Sequence, residues 1–149
     1  MNEPTPRTDP VTPRHLWVVG VLALLWNSIG AFDYVMTETR NASYMSAFTP
    51  EQLEYFYAFP AWAVAAWATG VWGGVLGSIL LLFKRRWAAP VFAVSLAAML
   101  IAFFHNYVLS DGYRIMGGVG ALAFTAVIVV IGIALLIYST RMSRRGVLI

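Results

Sequence analysis

The chain has 149 residues, 60% of them hydrophobic and 11% charged, whereas soluble domains carry about 25% charged residues and less than half apolar ones. The absence of cysteine excludes disulfides, thiol chemistry, iron–sulfur clusters and cysteine-ligated zinc. The net charge of +3 comes from residues flanking apolar blocks and not from a clustered basic face, so no nucleic-acid partner is expected.

The apolar residues fall into four blocks of roughly 20, each enough to cross a hydrocarbon core about 30 Å thick at about 1.5 Å per residue. The expected fold class is an all-α membrane protein, a four-transmembrane-helix bundle whose first partner is the lipid bilayer. Residues 1–15, MNEPTPRTDPVTPRH, hold four prolines and no apolar periodicity, which predicts a disordered cytoplasmic tail. Residues 16–149 form one domain, with spans expected over about 16–36, 60–83, 87–109 and 115–139. The first block is long and follows a proline-rich segment with two acids, so it reads as an uncleaved span and not as a signal peptide.

Between the first two spans lies FTPEQLEYFYAFP. Thr49 suits an N-cap, Pro50 the first helical position, and Gln52 completes a capping box. A short helix over about 49–59 follows, either lying flat at the interface or running into the second span with a kink at Pro60. The aromatic residues Tyr55, Phe56, Tyr57, Phe59 and Trp62 favour the interfacial alternative. Arg7, Arg14, Lys84, Arg85, Arg86, Arg141, Arg144 and Arg145 lie at one end of the spans and only Arg40 and Arg114 at the other. Positive charge in short loops stays cytoplasmic, so both termini and the KRR loop are expected inside.

In the second span Ala66, Gly70, Gly74 and Ser78 recur at every fourth position, with Gly73 and Gly77 beside them. This is a helix-packing face, because lipid supplies no hydrophobic drive and association relies on close approach. Packing inside the bundle is its plainer use; docking to another copy or to a larger membrane complex is the other. Gly117, Gly118, Gly120 and Ala121 offer a matching patch at the start of the fourth span, which makes spans two and four candidate partners.

In the first span Gly20, Ala23, Asn27, Gly30, Ala31 and Tyr34 share one face by their three- and four-residue steps, which turns Asn27 toward the bundle near mid-membrane. Ser95, Ala98, Ala102 and His105 form a similar inward face on the third span. Asp33, Tyr34, His105 and Asn106 then reach similar depths. A polar cluster of Asn27, Asp33, Tyr34, His105, Asn106 and Arg114 is expected, in which Asp33 bonds to His105 or pairs with Arg40 or Arg114.

Catalysis has little to work with. No serine, threonine or cysteine sits in a recognisable nucleophile motif, so no catalytic residue is assigned and no enzyme is expected. His15 and His105 are the only histidines, and with His15 ahead of the first span neither haem nor another cofactor is expected. No local ligand pair points to a metal.

The stretches WNSIGAFDYVMTETRNASYM and TPEQLEYFYAFPAWAVAAWATGVWGGVLGSILLLFKRR, together with the end of the third span, resemble a group of small bacterial four-helix membrane proteins, some of them labelled sugar transporters. The resemblance covers about Trp26–Arg86. It implies the same fold and a bacterial inner membrane, and it assigns no residue a role. Three functions stay open at this level. One is a non-enzymatic accessory or assembly subunit packing through the glycine face of the second span. Another is a homo-oligomeric small-solute transporter or channel with a polar site near Asn27, Asp33 and His105. The third, a membrane enzyme, would need His105, Asp33 and Glu54 in one cleft.

Overall fold

The computed structural model describes residues 11–149. Residues 1–10, most of the expected tail, lie outside the described residues. Helix α1 spans Arg14–Glu38 with Pro13 as its N-cap, so Arg14 and His15 belong to a helix and not to the tail. It is followed by α2 (Ala42–Met45), α3 (Pro50–Tyr57), α4 (Ala61–Leu82), α5 (Ala88–Phe104), α6 (Gly112–Ile115) and α7 (Val119–Arg144). A π-helical turn, His105–Leu109, extends α5. Four helices, α1, α4, the extended α5 and α7, are each long and apolar enough to cross a membrane, and the described residues contain no strand.

The capping box predicted at Thr49 forms. Its hydroxyl accepts from the Gln52 amide at 3.3 Å while the Thr49 amide donates to Gln52 Oε1 at 3.0 Å. Helix α3 ends at Tyr57, and extended Pro60 caps α4 separately, so α3 is a helix of its own and not a kinked start of the second span. The fourth span differs most from its expected limits of 115–139. Gly117 and Gly118 adopt φ of 107° and 62°, which no right-handed helix continues through, so residues 112–115 form the separate turn α6 and α7 starts at Val119. At its other end α7 runs on to Arg144, where Arg141 and Arg144 lie in the last turn and basic residues suit a helix C-terminus.

The spans pack in a row, α1 on α4, α4 on α5, α5 on α7. Glycine sets the close approaches. A Cβ at Gly70 would lie 2.8 Å from Met99 Cε, one at Gly73 2.9 Å from Ser95 Cβ, and one at Gly77 2.8 Å from Phe92. A Cβ at Gly74 would land on the Asn27 side chain. The glycine face of α4 is therefore used against α5 and α1. This overturns the pairing of spans two and four: Gly117 and Gly118 are spent on the turn, and a Cβ at Gly120 would meet nothing within 4 Å. Ser95 ties α5 to α4 by donating to the Gly70 carbonyl at 2.6 Å.

The two ends of the bundle differ. At the end carrying Arg14, Lys84, Arg85, Arg86 and Arg144, the basic end, Leu16, Leu81, Phe92, Leu135 and Met142 form a packed core from all four spans. Gly146, with φ of 72°, turns the chain back so that Val147 and Leu148 join that core. Ile149 then donates to the Lys84 carbonyl at 2.7 Å and accepts from the Arg86 amide at 2.9 Å. At the opposite, acidic end a cavity lies between α1 and α7.

Candidate functional site

Because the row is open, α1 and α7 meet through few side chains. His15 Nδ1 and the Tyr138 hydroxyl lie 2.6 Å apart at the basic end, and Trp26 and Phe124 approach with ring centroids 6.3 Å apart further along. Beyond them a cavity of about 470 Å³ occupies the acidic half, within the range of about 300–1,000 Å³ typical of small-molecule sites. Its walls come from α1 (Trp26, Asn27, Gly30, Asp33), α4 (Trp67, Val71), α5 (Met99, Ala102, Phe103) with its π-turn (Asn106, Tyr107), and α7 (Ala121, Phe124, Thr125). Tyr44, Phe56 and Phe59 from the connecting segment also line it.

Asn27 behaves as the first span's pattern predicts. Its Nδ2 donates to Ser78 Oγ across to α4 at 3.3 Å and to the Ala23 carbonyl at 2.8 Å, while Ser78 donates to the Gly74 carbonyl at 2.8 Å. The amide thus joins two helices, as a polar group in an apolar medium must. The face containing Ser95, Ala98, Ala102 and His105 is buried, as its spacing requires.

The expected polar cluster does not assemble. Asp33 accepts from the Tyr44 hydroxyl at 2.5 Å and bonds to none of His105, Arg40 or Arg114. Arg114 pairs with Glu51 at 2.9 Å and approaches Asp111 at 3.9 Å, on exposed surface. The Arg40 guanidinium sits 4.2 Å from the centre of the Tyr57 ring. His105 is held edge-on between Phe59 and Trp62, at 4.9 and 5.2 Å, with its buried Nδ1 unpartnered among the described residues. Asn106 Oδ1 accepts from the Tyr55 hydroxyl at 2.5 Å, and Tyr34 meets Trp67 edge-on at 5.0 Å. Similar depth along two helices does not imply a shared direction around them, and the π-turn starting at His105 rotates the end of α5 further. Asn27, Asp33 and Asn106 still share a site, but as separate points on the cavity wall. Of the three residues that the enzyme alternative grouped, Asp33 lines this cavity and His105 and Glu54 do not.

Two phenols outside the spans respond to this packing. Burial, reinforced by the hydrogen bond to Asp33 and its negative charge, pushes Tyr44 up to about 12. Burial likewise raises Tyr55. Tyr107 and Thr125 bridge α5 to α7 across the cavity wall with hydroxyls 2.7 Å apart. Sequence reasoning missed Tyr44, Phe56, Trp67, Tyr107 and Thr125 as neighbours, since none carries a local motif. Only the aromatic density of the 55–62 stretch signalled part of this lining.

No protein-family model matches this chain, and no curated protein or solved structure matches it either.

Proposed function

We propose that this chain is a non-enzymatic multi-pass membrane protein that binds a small, largely apolar ligand in the cavity between α1 and α7, as a binding or small-solute transport protein. The observation that carries this reading is the cavity itself. About 470 Å³ is lined mainly by aromatic and aliphatic side chains, with Asn27, Asp33 and Asn106 as separated polar points, the composition expected of a ligand site. The accessory-subunit reading relied on the glycine face of α4 as a docking surface, and that face is engaged by α5 and α1. By the distribution of Lys and Arg, the basic end lies on the cytoplasmic side of a bacterial inner membrane, with α3 at the outer interface. The cavity then sits in the outer half.

The test is the mass and composition of the protein extracted gently from native membranes with lipid retained. Wild type should carry a small molecule in fixed ratio. Gly30→Leu, which projects into the cavity where a Cβ finds only Val71 at 3.7 Å, should carry none. Equal occupancy of wild type, Gly30→Leu and Ala121→Phe by the same molecule would remove the reading, and a stoichiometric protein partner would restore the accessory one.

A further inference from the structure

The cavity has a charge asymmetry that the shape alone does not convey. Among its lining residues Asp33 is the one carboxylate, and none is Lys, Arg or His. Among the described residues that carboxylate receives a single hydrogen bond, from Tyr44. Among the described residues no basic side chain forms an ion pair with it, since Arg114 is taken by Glu51 and Asp111 and Arg40 lies over Tyr57. A half-buried carboxylate facing an apolar space loses hydration without gaining a counter-charge, and a cation entering that space would supply it. Trp26, Phe56, Phe59 and Trp67 line the same cavity, and aromatic rings attract cations through their electron-rich faces. An anion would meet the opposite field at each of these groups.

We propose, on the reading of this cavity as a ligand site, that its ligand class is the hydrophobic organic cation: an ammonium-like or phosphonium-like centre beside Asp33 with an apolar body reaching toward Asn27. Asn27 and Asp33 are six residues apart on α1, about 9 Å along the helix axis, which sets the length of body the site accommodates. The Asn27 amide, already engaged with Ser78 and Ala23, ends the cavity as a neutral wall and asks for no second charge.

The experiment compares tetraphenylphosphonium with its neutral carbon analogue tetraphenylmethane, which has nearly the same shape without the charge. Each is equilibrated with wild type, Asp33→Asn, Asp33→Glu and Gly30→Leu in lipid nanodiscs, and partition into empty nanodiscs is subtracted. Wild type should hold the cation tighter than the neutral probe. Asp33→Asn should weaken the cation by roughly 10- to 100-fold while leaving the neutral probe unchanged, as for removal of one member of a partly desolvated charge pair. Asp33→Glu should recover most of the loss. If wild type binds both probes alike, or Asp33→Asn keeps the preference for the cation, the charge inference falls. Saturable neutral binding abolished by Gly30→Leu would in that case leave the cavity reading standing. Binding of neither probe above empty nanodiscs would overturn both.

Discussion

Replacing Gly74 by alanine places a methyl group where the Asn27 side chain lies, 2.7 Å from its Cγ, well inside contact distance. Asn27 cannot simply yield, because its Nδ2 is anchored to the Ala23 carbonyl and to Ser78 Oγ. Moving it forfeits the only side-chain bond between α1 and α4 at this level, worth about 0.6 kcal/mol on average between membrane helices. Overpacking adds about 1–3 kcal/mol, and the better helix propensity of alanine returns up to about 1 kcal/mol. A net loss of about 1–3 kcal/mol follows for Gly74→Ala. In an Asn27→Ala background the obstacle is gone, so the same change should be neutral or slightly stabilising. Reversible unfolding in mixed micelles, run as a double-mutant cycle, reads the difference directly, with an expected coupling of at least about 1 kcal/mol between the two positions. A Gly74→Ala penalty of equal size in both backgrounds would refute the assignment of Asn27 as the group that requires glycine there.

The Tyr44 phenol should ionise only near pH 12, seen as the phenolate absorbance missing from Tyr44→Phe; complete titration of wild-type tyrosines around 10 would contradict its contact with Asp33. Because the folded value lies above the ordinary 10, the stabilisation is complete below pH 10 and is lost as pH rises from 10 through about 12. Ser95→Ala should cost about 0.6 kcal/mol and at most about 1.7 kcal/mol in micelle unfolding, the range for hydrogen bonds between membrane helices, since Ser95 donates to Gly70 from α5 to α4. Glu51→Gln should change stability by less than about 0.5 kcal/mol, because both partners of the Glu51–Arg114 pair are exposed, at 60% and 64%; a larger, salt-sensitive loss would show that the pair fastens α3 to α6. His105→Phe should leave stability unchanged or raise it by up to about 1 kcal/mol, as it keeps the edge contacts to Phe59 and Trp62 and removes a buried nitrogen with no partner among the described residues. A marked loss of thermal stability in that variant would mean the ring nitrogen has a partner in the membrane.

What the sequence made legible was whatever depends on a residue's own neighbours in the chain. Hydropathy over roughly 20 residues marks each span, and Thr49, Pro50 and Gln52 specify their helix start within four positions. Burial of Ser95, Ala98, Ala102 and His105 follows from helical period alone. The partners of those faces were not legible, because a glycine stripe announces close approach without naming the helix that approaches. Gly74 facing Asn27 and Gly70 facing Met99 are choices made by the row-like packing order. The polar residues failed for a related reason. Depth is one coordinate and direction around the helix is another, and the π-turn at His105 changes the second without any sequence mark. The cavity is legible least of all, being the place where α1 and α7 do not touch.

The packed basic end has a mechanical consequence. Leu16, Leu135 and Met142, with the folded-back Val147 and Leu148, hold α7 at one end, and toward the other it rests mainly on α5. A helix held so would act as a lever with its fulcrum near Leu135 once the Tyr107–Thr125 hydrogen bond across its outer arm opens. Ala121, on the cavity wall, lies 14 residues away, about 21 Å along the axis. A tilt of about 8° over that arm would move Ala121 by about 3 Å, enough to admit a wider molecule while the fulcrum stays still. On the proposed reading of the cavity as a ligand site, the girth it accepts and the integrity of the bundle are in this way separated along the length of one helix.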